Sequence, residues 1–223
     1  AKEPSKDYMY WYRKGFMLNA TREFTAAKVS LNKSMELKAD YVNTYLELGF
    51  ASSRLKEDEV AIDYYKKVFE IDPKNYMANN GIGEVYRDYK KDREEAMAWY
   101  RKTLAINPNE RKANFGVGYC LNSTGRYSEA ISHLKKAIEM EAGYVAAHVE
   151  LGYAYYKTGN ATEAMTSLDK AIALNSKNDN AFYYKGLVYI SQNNKIKAQA
   201  MLDELNALSS KNAASLQASI NKM

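Results

Sequence analysis

Apolar side chains recur at intervals of three and four along nearly the whole chain, with polar residues filling the positions between. From Val145 to Lys157 the apolar set is Leu151, Ala154 and Tyr155, and from Thr162 to Leu174 it is Met165, Leu168, Ala171, Ile172 and Leu174. This spacing gathers apolar groups on one face of a helix with 3.6 residues per turn, so it predicts two consecutive amphipathic helices. Thr158-Gly159-Asn160 lies between them and has the composition of a turn. Thr124-Gly125-Arg126 repeats the break earlier in the chain and Asn193-Asn194 repeats it later. Asp72-Pro73 and Asn107-Pro108 end helices, because proline disfavours helical geometry in the residue before it and has no N–H to donate to the preceding turn. No period-two pattern competes, so every predicted element is a helix.

The helix pairs are periodic. Glycines at 15, 49, 83, 118, 152 and 186 are separated by 34, 34, 35, 34 and 34 residues, and alanines at 27, 61, 96, 130, 164 and 198 follow them. The ladder divides the chain into six blocks, 8 to 41, 42 to 75, 76 to 110, 111 to 144, 145 to 178 and 179 to 212, read together as one domain. A glycine inside a helix costs ~1 kcal/mol relative to alanine, so each is expected to let the first helix of its block lie tightly on the second, with the alanine as its small partner. The third block has one extra residue near Lys90-Lys91-Asp92, expected as a longer turn. Residues 213 to 223 read as a short capping helix on Leu216 and Ile220, and residues 1 to 7 as a loose polar tail.

These motifs resemble the tetratricopeptide repeat. They are Trp11, Gly15, Leu18, Ala27 and Leu31 in the first block, Tyr45, Leu48, Gly49, Ala61, Tyr65, Val68 and Pro73 in the second, and His148, Leu151, Gly152, Tyr155, Ala164, Leu168 and Ala171 in the fifth. The terminal proline of the motif is replaced by Ala39, Ala142 and Ser176 in blocks one, four and five, which is expected to weaken helix termination. The resemblance implies an all-α fold: a right-handed superhelical solenoid of six helix-turn-helix repeats with a C-terminal capping helix. It also implies a noncatalytic scaffold or adaptor whose first helices line a concave groove for a peptide or helical segment of another protein.

On that pattern the inner positions lie six and three residues before each glycine and one, four and five after it. One after the glycine stand Phe16, Phe50, Glu84, Tyr119, Tyr153 and Leu187; three before it stand Tyr12, Leu46, Asn80, Phe115, Val149 and Tyr183. Two rows rich in aromatic and apolar residues are thus interrupted in block three by a polar patch of Asn80, Glu84, Arg87 and Asp88. Exposed rings call for a cover, and aromatics are enriched among binding hot spots, so these rows together with Tyr156 are the expected peptide site. The competing reading is that the rings pack on one another across adjacent blocks. Arg54, Lys112 and Lys157 are candidates to pair with carboxylates of the ligand. The lysine and asparagine clamp of chaperone-binding relatives is not matched, because Tyr12 and Phe16 hold its first places. The asparagine ladder of sugar-transferase relatives is missing as well.

Composition removes other classes. One cysteine, Cys120, cannot form an internal disulfide, and with only His133 and His148 no usual zinc site can be assembled. Cys120 is expected to be buried, His148 packed and His133 on an outer surface. Neither a glycine-rich phosphate loop nor a nucleophile with a partnered base is visible, so no catalysis and no cofactor are expected. The 32 basic and 27 acidic side chains are mixed along the chain, which makes RNA binding a minor alternative. A second alternative is self-association through Tyr8, Tyr10, Trp11 and Tyr12 in the first helix. No stretch approaches ~18 consecutive apolar residues and Ala1-Lys2-Glu3-Pro4 is not a leader, so no membrane span or signal is expected. The compartment stays open between the cytoplasm and a processed exported protein.

Overall fold

The computed structural model describes residues 7–223, so the expected tail lies outside the described residues apart from Asp7. Thirteen α-helices and one π-helical segment account for the regular structure among them. Three blocks fall in each of two compact units, which divide between Pro108 and Asn109, so that the last two residues of block three, Asn109 and Glu110, go with the second.

The first unit holds α1 (Tyr8–Ala20), α2 (Phe24–Leu37), α3 (Val42–Arg54), α4 (Asp58–Ile71), α5 (Tyr76–Val85), the π-helical segment Tyr86–Lys90 and α6 (Arg93–Ile106). Its core is continuous from block to block: Tyr45, Ala61, Ile62, Tyr65 and Val68 of the second pack with Ala78, Ile82 and Val85 of the third. The second unit holds α7 (Arg111–Ser123), α8 (Tyr127–Met140), α9 (Val145–Lys157), α10 (Ala161–Leu174), α11 (Asp179–Ser191), α12 (Lys195–Ala207) and α13 (Asn212–Ile220). There Val149, Ala164, Leu168 and Ala171 pack with Ala181 and Val188 of the next block. The cap forms as expected, with Leu216 and Ile220 buried against Phe182, Leu202 and Leu205.

The glycine ladder works through a different partner from the alanine expected. A Cβ on Gly15, Gly118 or Gly152 would stand 2.5 to 2.6 Å from the Cγ of Leu31, Leu134 or Leu168, whereas the alanine carbonyl would be 3.2 to 3.4 Å away. At Gly49 and Gly83 the obstruction is the ring of Tyr65 or Tyr100. In all five the neighbour is the large residue four beyond the alanine, one helical turn on. Gly186 breaks the rule, because its notch receives Leu216 of the cap.

The turns share a device as well. Seven residues after Gly15, Gly49, Gly118, Gly152 and Gly186, and eight after Gly83, a residue takes left-handed backbone: Arg22, Lys56, Gly125, Gly159 and Asn193, with Lys91 in block three. The extra residue of block three does not lengthen a loop. It is absorbed where the first helix widens into the π-helical segment, after which Lys91 at φ 61° restores the register and the Asp92 carboxylate accepts from the Glu95 N–H at 3.0 Å. The missing prolines have no visible consequence, since α2, α8 and α10 still end in extended residues, Lys38, Glu141 and Asn175, as α6 does at Asn107 beside its proline.

Candidate functional site: two aromatic pockets

Each unit carries an open aromatic pocket, and the two draw mostly on equivalent positions. In the first unit α1 supplies Phe16, Asn19 and Ala20, the turn Arg22, α2 Phe24, and α3 Glu47, Phe50 and Arg54, around a volume of about 430 Å³. In the second unit α7 supplies Tyr119, Asn122 and Ser123, α8 Tyr127, α9 Glu150 and Tyr153, and α11 Tyr184, around about 270 Å³.

A hydrogen-bonded pair holds each pocket together. The Asn19 carboxamide donates to the backbone oxygen of Glu47 at 3.1 Å and to its carboxylate at 2.7 Å. Asn122 donates to the backbone oxygen of Glu150 at 2.9 Å and to its carboxylate at 2.8 Å. One side chain thereby ties the first helix of a block to the first helix of the next and fixes their spacing. Each asparagine is buried and leaves its Oδ1 without a hydrogen-bond partner. A buried polar atom left unpaired costs ~1 to 3 kcal/mol, so each pair is held at some expense to the scaffold. Burial raises the Glu47 carboxyl above the usual carboxylate range, and the bond from Asn19 offsets part of the rise. The Tyr12 hydroxyl is raised too, first by burial and then by the charge of Glu47.

The walls differ. The first pocket has phenylalanines: Phe16 is 48% and Phe50 38% exposed, and Phe24 meets Phe50 edge to face at 6.0 Å. The Arg54 guanidinium lies 5.9 Å from the Phe24 centroid and donates to the Tyr89 hydroxyl at 3.3 Å. The second pocket has tyrosines: Tyr153 stacks on Tyr184 at 4.7 Å and meets Tyr127 edge to face at 5.7 Å. Burial, followed by the hydrogen bond with Tyr127, raises the Tyr153 phenol, and burial followed by the charge of Glu150 brings Tyr184 to about 12. Lys157 lies 5.4 Å from the Tyr127 centroid, as Arg54 does near Phe24.

The row one residue after the glycine supplies both pockets, through Phe16, Phe50, Tyr119 and Tyr153. Its other members stand apart: Glu84 is half-buried, and Leu187 is partly buried against the core near the cap. The row three residues before the glycine largely packs on the protein itself. Val149 is buried in the core, which removes it from any surface, and Asn80 is buried as well. Tyr12 meets Tyr41 edge to face at 5.1 Å, and Phe115 lies 4.9 Å from Tyr144, the equivalent pair in the second unit. Leu46 and Tyr156 pack against the cores of their units, and Tyr183 lies 5.5 Å from Tyr184. Arg87 is engaged by its neighbour Asp88 through two bonds of 2.7 Å, so the polar patch of block three is closed on itself at that point. Lys112 is exposed. In α1 only Tyr10 of the four aromatics proposed for self-association counts as exposed, while Tyr8 packs on Tyr41 and Trp11 is flanked by Lys33 at 4.3 Å. Cys120 is fully buried, and His148 is buried with Nε2 at 3.0 Å from the Ala142 oxygen. His133 is not on the outer surface: it is half-buried, with Nδ1 at 3.3 Å from the Asn114 carboxamide oxygen.

Sequence reasoning missed Phe24, Tyr127 and Tyr184 and both asparagine–glutamate pairs. The pairs carried a signal: asparagine four after one glycine and glutamate two before the next recur 28 residues apart in both units.

Among the described residues no cluster of His, Cys, Asp and Glu could hold a metal ion, and no helix is long and apolar enough to cross a membrane. With paired helices, glycine notches and facing first helices in place, the fold defines an all-α helical-repeat protein. Two family profiles, both described as tetratricopeptide repeat, match the chain, one over residues 121–182 and the other over 42–75 and 78–110. The chain belongs to the tetratricopeptide-repeat family, whose members serve as protein-interaction scaffolds. Among solved structures it is similar to the Cut9–Hcn1 assembly of the APC/C, with a TM-score of 0.86 and 17% identity over 96% of this chain, though it spans only 43% of that one. YrrB, described as a TPR protein with an unusual peptide-binding site, matches with a TM-score of 0.70 and 23% identity over 86% of this chain and 98% of its own. PilW, described as a type IV pilus biogenesis factor, matches with a TM-score of 0.83 and 17% identity over 94% and 98%. At these identities the likeness is one of fold. A comparison with curated proteins finds no match.

Proposed function

We propose that this protein is a noncatalytic scaffold that captures a peptide or helical segment of another protein, with the two aromatic pockets as its points of grip. The observation that carries the reading is the pair of pockets at largely equivalent positions, each walled by partly exposed aromatic rings over an asparagine–glutamate pair. Exposed phenylalanine is unfavourable in water and is relieved when a partner side chain covers it. The self-packing of Tyr12, Phe115 and Tyr183 narrows the expected groove to these two places. That peptide binding occurs on the same fold in YrrB supports the choice.

Selection of displayed random peptides on the immobilised full chain is expected to enrich a sequence family. The Phe16→Ala/Phe50→Ala and Tyr119→Ala/Tyr153→Ala double variants are expected to bind the selected peptides at least ~10-fold more weakly, with unchanged helicity by circular dichroism. Failure to enrich any peptide, or equal affinity in both double variants, would refute the reading. Light scattering over a concentration range tests the self-association alternative, which requires a mass that rises with concentration.

A further inference from the structure

We infer that the pocket of the second unit is a cation site: it takes the lysine or arginine side chain of a basic partner segment. The inference deepens the peptide-binding reading and rests on it. Four tyrosines, Tyr119, Tyr127, Tyr153 and Tyr184, line this pocket, and no lysine or arginine does. A phenol ring presents negative charge at its face, and several rings around one space attract a cation more strongly once water is expelled. The remaining polar groups have the same preference. Glu150 brings a carboxylate, which the Asn122 carboxamide fixes in place by donating to it at 2.8 Å. Ser123 completes the rim. An ammonium or guanidinium group supplies N–H donors to the Glu150 carboxylate and positive charge to the rings, whereas a carboxylate would meet the like charge of Glu150 and a methyl group would bring charge to neither.

The first pocket sets the contrast from the same scaffold. Its asparagine and glutamate are in place, but Arg22 and Arg54 line it and its walls are phenylalanine, whereas the equivalent cation of the second unit, Lys157, lies 5.4 Å from the Tyr127 centroid and outside the pocket lining, so the cation preference is assigned to the second pocket.

The test uses single side chains as probes: Nα-acetyl-lysine amide, its Nε-acetylated neutral form, and Nα-acetyl-glutamate amide, each titrated into the full chain and followed by NMR. The cationic probe is expected to give saturable shifts in the Asn122 side-chain amide and in the rings of Tyr119, Tyr127, Tyr153 and Tyr184. The neutral probe is expected to bind at least fivefold more weakly, and the acidic probe not at all. Glu150→Gln keeps an oxygen for the Asn122 bond and so is expected to retain the fold; it should cost the cationic probe at least fivefold and leave the neutral probe unchanged. No saturable shift with the cationic probe, equal binding of the neutral one, or an unaltered cation affinity in Glu150→Gln would each overturn the inference. Retained capture of selected peptides in Glu150→Gln, together with its loss in Tyr119→Ala/Tyr153→Ala, would overturn the cation preference while leaving the peptide-binding reading intact. Loss of the cation response with no peptide enriched by any form of the chain would overturn both.

Discussion

The two units share one plan and differ in how they fill it. Both place an asparagine four residues after one ladder glycine and a glutamate two before the next, and both set an inner aromatic against the tyrosine that precedes the following block's first helix. Yet the first unit closes two of its three notches with tyrosine, at Gly49 and Gly83, where the second closes Gly118 and Gly152 with leucine. Its pocket is phenylalanine and arginine where the other is tyrosine. The turns separate them further: between the two helices of a block the left-handed positions are Arg22, Lys56 and Lys91 in the first unit, but Gly125, Gly159 and Asn193 in the second, where Ser209 adds one more before the cap. A lysine or arginine costs ~1 kcal/mol at such a backbone and glycine costs none. The framework therefore fixes where helices, turns and pockets fall, and leaves wall chemistry and turn strain to vary from unit to unit.

The sharpest break in the comparison comes from the notches. Gly152→Leu would drive four added carbons toward Leu168, whose Cγ would stand only 2.6 Å from the first of them. The expected loss is ~3 kcal/mol, a fall of roughly 10 °C in the melting midpoint. Differential scanning calorimetry measures it, and an unchanged midpoint would rule out the notch as the reason for the glycine.

The turns predict effects of opposite sign. Gly159→Ala forces a Cβ onto φ +80° and should destabilise by ~1 kcal/mol, although nothing lies within 4 Å of that Cβ. Lys56→Gly relieves the same strain in the first unit, but it also loosens the unfolded chain, so a gain of no more than ~0.5 kcal/mol is expected. Chemical denaturation of both variants decides the matter. A loss at both sites would show that the left-handed backbone is not what distinguishes the units.

How much of this was legible beforehand follows from the range of the interactions. Helices and most turns are set by spacing and by residues within a turn of one another, so the period exposed about six helix pairs, but not the π-helical segment Tyr86–Lys90 that stands where a longer turn was expected. The Gly186 notch was not legible, because its filler, Leu216, comes from the cap, 30 residues away rather than from the paired helix. The inner rows were readable as positions, but which rings stay open depends on what the next block brings. Tyr41 and Tyr144 cover Tyr12 and Phe115, whereas Phe16 and Phe50 keep part of their faces in solvent. Val149 looked like any other residue of its row. Its burial comes from the small alanines of neighbouring helices, Ala164, Ala171 and Ala181, which let the helices close over it.

The smallest expected effect tests the electrostatics of the pocket scaffold. Burial raises the Glu47 carboxyl in the folded chain, so between the usual carboxylate range and that raised value the folded state binds more protons than the unfolded one. Stability contributed by Glu47 is then fully present at lower pH, where the group is protonated in both states, and declines as pH rises through the folded value. Asn19 opposes the trend, since its carboxamide donates to the carboxylate at 2.7 Å. Glu47→Gln keeps an acceptor for Asn19 and removes the charge. The variant should match the parent near pH 4 and be slightly more stable at pH 7, measured as the difference in denaturation midpoints at the two values. A variant less stable at pH 7 than at pH 4 relative to the parent would mean that the charged bond from Asn19 outweighs burial, and that the first pocket holds its carboxylate as a favourable charge.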